Sequence, residues 1–244
     1  MTPKFTHLHV HTHYSLLDGL AKIPDLLDYA KELGMDSIAI TDHGAMYGNV
    51  EFYKEAKKRD IKPIFGIEAY IAARSMHDKQ PGIDNRIYHL ILLAKNEQGY
   101  KNLIKLSTKS HLEGFYYKPR VDKNLLRELS GGLIALSGCL TGEISKSILA
   151  GQHEEAEKLM QEYADIFKDN FYLELQHHPN IPEQIKLNNE LISYAKKLSL
   201  PLVATQDSHY LRPEDAEAQD ILMLINTGAR PDAPERVTLT ADDF

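Results

Sequence analysis

The chain has 244 residues, 43% of them apolar and 26% charged, with a formal net charge of −7; that length accommodates one large α/β barrel or two small domains. The acidic balance argues against nucleic-acid binding through the overall field alone, and a single cysteine rules out an internal disulfide framework and fits a reducing cytoplasm. No apolar run approaches the ~20 residues of a membrane span, and the first residues read as no signal peptide.

Residues 6–11 read as a strand, followed by helical spacing over 23–33 that stops at Gly34. A strand over 37–41, a helix over 49–58, and strands over 63–72 and 87–94 come next. Residues 75–85, with Pro81 and Gly82, read as an exposed loop. Then come a helix over 97–112, a short buried-type strand over 132–137 and a charged amphipathic helix over 154–167. The last elements are a strand over 171–175, a helix over 182–198, a strand over 202–205 and a helix over 213–224. Roughly seven strand-then-helix repeats predict a parallel sheet closed into a barrel. In such barrels the site lies at the carboxyl ends of the strands. His9, His11, Asp42, His43, Asp207 and His209 fall there, while Glu68 in mid-strand and His89 at the start of its strand fit this layout less well. The segment 227–244, with Gly228, Pro231 and Pro234, reads as a linker toward a further region.

His7, His9, His11 and His13 alternate along the first strand, which predicts four imidazoles on one face. Imidazole, carboxylate and thiolate are ligands of Zn²⁺ and, with less thiolate, of Mn²⁺ or Fe²⁺. Two or three such ions a few Å apart suit phosphate-ester hydrolysis, and Glu68 is the candidate carboxylate to bridge two of them.

His9-Val10-His11-Thr12, Ser15-Leu16-Leu17-Asp18-Gly19 and Thr41-Asp42-His43-Gly44 resemble the polymerase and histidinol phosphatase (PHP) family. Gly66-Ile67-Glu68-Ala69-Tyr70, His89-Leu90-Ile91-Leu92-Leu93-Ala94-Lys95-Asn96, Leu136-Ser137-Gly138-Cys139-Leu140-Thr141-Gly142-Glu143 and Ala204-Thr205-Gln206-Asp207-Ser208-His209-Tyr210 narrow the likeness to the PHP domains of bacterial replicative polymerases, the DNA polymerase III alpha subunits. The resemblance runs in order along essentially the whole chain. It implies a distorted seven-stranded β/α (TIM-like) barrel over residues 1–226 and up to three divalent ions (Zn, Mn or Fe). The ligands it implies are His9, His11, Glu68 and Asp207 for one ion, Glu68, His89 and Cys139 for a second, and Asp18, His43 and His209 for a third. Of these, His9, Asp18, His43, Glu68 and Asp207 are the expected catalytic set.

The implied activity is 3′–5′ proofreading exonuclease action in the cytoplasm on the 3′ end of a primer–template. The implied partners are the polymerase core of the same polypeptide and other replisome subunits, with no membrane. The alternatives are a free-standing phosphatase on a small phosphomonoester and a structural or docking module of the polymerase. Several residues carry blander readings. A sole cysteine is usually a small core hydrophobe, Asp18-Gly19 also suits a turn, and Glu143 suits a first helical turn. Asp42 reads as a helix cap or a partner of His43, and His7 as a buried, hydrogen-bonded group supporting the ligands. Lys118, Arg120 and Tyr116, with Tyr117, are candidates to grip phosphate and stack a base.

Overall fold

The computed structural model describes residues 5–233, 236, 238 and 239. Its strands are β1 (Ser37–Ile40), β2 (Lys62–Ala72), β3 (Ile87–Ala94), β4 (Arg120–Val121), β5 (Leu133–Leu136), β6 (Phe171–Gln176) and β7 (Leu202–Thr205). They form one curled sheet in the order β1-β2-β3-β5-β6-β7, with β4 paired to β2 off this path. The helices are α1 (Ile23–Glu32), α2 (Asn49–Lys58), α3 (Glu97–Leu112), α4 (Lys123–Leu129), α5 (Glu143–Leu149), α6 (His153–Phe167), α7 (Pro182–Leu198) and α8 (Ala216–Thr227).

The expectation of a wholly parallel sheet is corrected in one place. β3 runs antiparallel to both β2 and β5, whereas the other pairs are parallel. Parallel neighbours need a crossover, usually a helix. The connection 73–86 contains no helix, so β3 returns beside β2 in the opposite sense. This reversal explains the placing of His89, because the start of an antiparallel strand lies at the same end of the sheet as the carboxyl ends of its parallel neighbours. Glu68 is explained by length. β1 ends with Ile40 paired to Phe65, and β2 continues past it, so Glu68 lies just beyond the β1 terminus, bridged to His43.

The expected first strand is a second correction. Residues 6–11 form no regular ladder; only Val10 makes a bridge, to Ser208. The segment nevertheless sits between β1 and β7. Ala39 N and Thr41 N donate to the carbonyls of His7 and Val10, while His11 N and Ser208 N exchange bonds with Ser208 and His9. It thus spans the two edge strands and completes the curl into a distorted barrel.

Strand alternation sorts side chains to two cores. On β3, Leu90 and Leu92 face outward to a large cluster with Leu103, Leu106, Leu126, Tyr163 and Phe171. Ile91 and Leu93 face inward and plug the barrel with Ala39 and Leu136. β3 is thus apolar on both faces, as expected of a central strand. A third cluster seats α1 and α2 through Ile23, Leu27 and Phe52. The barrel interior beneath the His9 and His11 level is therefore plugged with hydrocarbon. The helix α4 is absent from the sequence reading and α5 is anticipated there only by Glu143 as a first-turn acid; at seven residues each, both are too short to display a period. Where the segment 227–244 is described, Leu239 O accepts from Tyr210 and Arg236 pairs with Asp220; positions 234, 235, 237 and 240–244 of the expected linker lie outside the described residues.

Candidate metal centre

The inward positions above the apolar plug carry the imidazoles and carboxylates. His9 and His11 are fully buried, and Glu68 and Asp207 nearly so. His9 Nε2 lies 3.0 Å from Asp207 Oδ1 and 3.4 Å from Glu68 Oε1. His11 Nε2 lies 3.2 Å from Asp207 Oδ1 and 3.3 Å from Glu68 Oε2. His43 places Nδ1 2.6 Å from Glu68 Oε2 and Nε2 2.6 Å from Asp18 Oδ2. His209 Nε2 approaches the same Asp18 oxygen at 3.4 Å, and His89 Nδ1 stands 2.8 Å from Glu68 Oε1. Cys139 Sγ is 3.8 Å from His89 Nδ1 and 3.9 Å from Glu68 Oε1, and contacts Thr141 Oγ1 at 2.8 Å. All nine residues read from the sequence as ligands are thus brought to one cluster. Glu68 stands at its centre, with its two oxygens facing different partners.

The donor set suits divalent cations on its own geometry. Among the described residues, three overlapping groups bring ligand atoms within 4.8 Å of one another: His9, His11 and Asp207; His11, His43 and His209; and His43, Glu68 and His89. Several of these buried atoms (His9 Nε2, His11 Nε2, His43 Nδ1, Glu68 Oε2 and Asp207 Oδ1) are close together yet make no aligned hydrogen bond. Unsatisfied buried polar atoms are costly, and lone pairs converging on shared space are what a bound cation would satisfy.

Supporting contacts fix which nitrogen faces the cluster. His9 Nδ1 donates to Glu174 Oε1 at 2.8 Å, leaving Nε2 as the ligand atom. Glu174 also accepts from Gly138 N, Gln176 Nε2 and Thr205 Oγ1. His11 Nδ1 bonds Ser15 Oγ, which in turn donates to Asp42 Oδ1 and accepts from His43 N. Asp42 further accepts from Thr12 N and Oγ1, so it locks the loop behind His11 and His43. His209 Nδ1 donates to the Asp207 carbonyl at 2.8 Å. Asp207 adopts a left-handed backbone, φ 58°, which Asp tolerates better than most residues. Gly138, at φ +81°, lies where a Cβ would come within 2.8 Å of the His89 carbonyl.

Charge in the cluster is strongly coupled. Burial would lower the pKa of His43, but Glu68 and Asp18 outweigh it and push it up to about 10. At His9 burial likewise lowers the pKa, but Asp207, Glu174 and Glu68 outweigh it and raise it well above the usual imidazole value. Glu68 and Asp207 stay far below the usual carboxylate range despite burial, because imidazoles surround them. Burial and then the charges of Asp207 and Glu68 raise the Cys139 thiol, so a cation is what would favour its thiolate.

Other sequence readings are redistributed. Arg120, read as a phosphate grip, is fully buried. Its guanidinium donates to the carbonyls of Gly114, Asp84, Met76 and Asp78, so it is spent on the loop 76–84 and cannot reach a ligand. Tyr116 lies over that guanidinium, 5.2 Å from ring centroid to Cζ, and belongs to the same scaffold. Lys118 does line a cleft beside Asp18, His43 and His89. His7 departs from the four-imidazole face. It lines a small apolar pocket with Leu26 and Tyr29, and its Nδ1 makes no hydrogen bond. His13 packs on Tyr14 outside the cluster. Glu143 stays in the first turn of α5, accepting from Tyr163 and Lys123, and His178 lines the rim of the site. Sequence reading missed Glu174. Its signal was a charged residue amid the strand Phe171-Tyr172-Leu173-Glu174-Leu175-Gln176.

The PHP domain model matches residues 7–178, most of the chain. The chain belongs to the PHP family. It is 50% identical to the DNA polymerase III subunit alpha of Borreliella burgdorferi over 242 residues, 99% of this chain and 21% of that protein. The corresponding Thermus aquaticus subunit is 48% identical over 245 residues, covering 99% and 20%. The chain therefore spans about a fifth of the length of these relatives. Among solved structures, a Bifidobacterium adolescentis protein classed as a metal-dependent phosphoesterase aligns with a TM-score of 0.53 at 13% identity, over 96% of this chain and 92% of that one. At that identity it shows the shared PHP-type fold. Among the described residues, no helix is long and apolar enough to cross a membrane.

Proposed function

We propose that this chain is the metal-dependent phosphoesterase module of a bacterial replicative DNA polymerase, removing nucleotides from the 3′ end of DNA. The observation that carries this reading is the convergence of buried, unsatisfied imidazole and carboxylate atoms in a chain half identical to a polymerase subunit. The name of the Bifidobacterium relative agrees with phosphoester chemistry. Residues 1–226 form the module, and 227–244 lead toward the polymerase core of the same polypeptide.

His9, His11, Glu68 and Asp207 would hold one ion, Glu68, His89 and Cys139 a second, and Asp18, His43 and His209 a third. When bound, such ions (Zn, Mn or Fe) supply Lewis-acid polarisation of a phosphoryl oxygen and acidify water. The chain's own residues do the positioning. Glu68, with its oxygens turned to different imidazoles, fixes the spacing between neighbouring sites. Glu174, Ser15 and Asp42 hold the tautomers and ring planes of His9 and His11. The apolar plug below closes the floor, so a phosphodiester enters only from the open end.

The test is incubation of the chain with Mn²⁺ or Zn²⁺ and a 5′-labelled primer–template, beside a phosphomonoester. Primer shortening that falls at least 100-fold in both His9→Ala and Asp207→Ala is expected. Monoester turnover alone would reassign the site to a phosphatase, and no turnover of either would reduce the domain to a docking module.

A further inference from the structure

Two clefts open from the ligand cluster. One, about 300 Å³, is walled by Leu140, Met223 and Leu239. The other, about 370 Å³, passes Asp18 and His43 to Tyr70, Tyr47, His111 and Lys118. The second is larger than a phosphate group requires and falls within the range of small-molecule sites. It alone of the two contains a lysine or arginine. The Lys118 ammonium sits 5.5 Å from the Tyr70 ring centroid, and Tyr70 stacks over His43 at 5.8 Å. That ammonium makes no ion pair or hydrogen bond with any described residue. A cation left free one aromatic ring away from a metal-type cluster is placed to take a phosphate oxygen.

The wall beyond Lys118 is aromatic and already organised. His111 Nδ1 donates to the Ser107 carbonyl at 3.0 Å, which leaves Nε2 to accept from Tyr47 Oη at 3.1 Å. This bond fixes the Tyr47 ring although the residue is 59% exposed. An exposed ring held in place offers a flat face to a partner at little entropic cost, and base stacking on such faces tolerates every base.

Building on the phosphoesterase reading, we infer that this cleft seats the terminal nucleoside of the substrate, with Lys118 on its phosphate and Tyr47, braced by His111, against its base. The sequence reading gave these tasks to Lys118, Arg120 and Tyr116, with Tyr117; the fold keeps Lys118 at the cleft and uses Arg120 and Tyr116 elsewhere.

Calorimetric titration of the Mn²⁺-loaded chain with dTMP and, separately, with inorganic phosphate tests this directly. dTMP is expected to bind about tenfold more tightly than phosphate, within the lower part of the range for one base stack. Tyr47→Leu should bring the two within threefold, and Lys118→Met should weaken both about tenfold; both positions are exposed, so folding should survive. Equal binding of dTMP and phosphate by the unmodified chain, or a preference that Tyr47→Leu leaves intact, overturns the inference. The two readings fail separately. Hydrolysis of methyl p-nitrophenyl phosphate without any preference for dTMP removes the nucleoside subsite and keeps the phosphoesterase. The expected dTMP pattern without diester hydrolysis keeps the subsite and removes the phosphoesterase.

Discussion

Glu174 carries a larger role than its place in a strand suggests. It is buried, accepts four hydrogen bonds, and orients His9 without facing the cluster itself. Carboxylates that hold a ligating histidine typically matter by about 10- to 100-fold in metal affinity. Glu174→Gln keeps the volume but removes the charge. Mn²⁺ affinity measured by calorimetry should fall within that range, and a change under about twofold would deny Glu174 this role. Alternation along β6 hints at a solvent-facing Glu174, since Leu173 and Leu175 flank it. The curl of the sheet turns that second face inward, toward His9, and no local pattern announces it. The candidate ligands were easier to single out, because His9 and His11 alternate along one segment and Asp42-His43 and Asp207-Ser208-His209 pair carboxylate with imidazole at close spacing.

At the scale of elements, short helices were hard to read and long ones were not. Helices α3, α6 and α7 exceed three turns and show their period plainly. α4 has seven residues, and its start is set by Asp122, which accepts from Leu125 N at 2.9 Å. The other Asp122 oxygen accepts from Met76 N at 3.0 Å, tying the loop 75–78 to the helix. Asp122→Ala therefore removes a cap worth about 1 kcal/mol and orphans a buried amide at about 1–3 kcal/mol. Urea unfolding should show a loss of about 2–4 kcal/mol, with faster proteolysis between 73 and 86. A loss below about 0.5 kcal/mol, the scale of an ordinary surface change, would show that the cap and the loop tie are unimportant.

For the whole molecule, the cluster links stability to pH and to metal. Without an ion, His43 has a folded pKa of about 10 against an ordinary 6.5. A raised value means its stabilisation is complete below about pH 6.5 and fades as pH climbs toward 10. Glu68 and Asp207 have depressed values, so their stabilisation is present above about pH 4.5 and fades below it. The metal-free chain should thus be most stable between about pH 4.5 and 6.5. A cation needs deprotonated ligands and displaces those protons. The Tm gained on adding Mn²⁺ to chelator-treated protein should therefore be larger at pH 9 than at pH 6.5. At 100 times its Kd, one bound ion adds about 2.7 kcal/mol. A gain that is equal at both pH values, or larger at pH 6.5, would remove the proton–metal competition from this account.

The sequence by itself determined the side-chain types of the candidate site and most of the fold's elements, because residue type, two-residue alternation and helical period are local properties. It also limited Glu68 and His89 to strands. Only the tertiary structure decided that these strands bring them level with the others. The reversal of β3, the overhang of β2 past β1 and the wedging of residues 6–11 between β1 and β7 each depend on packing between distant segments. The same holds for Arg120, whose neighbours in sequence suggest a ligand grip. Four backbone carbonyls, three of them from the distant loop 76–84 and one from Gly114, claim its guanidinium instead, and a buried charge is retained only where such partners surround it.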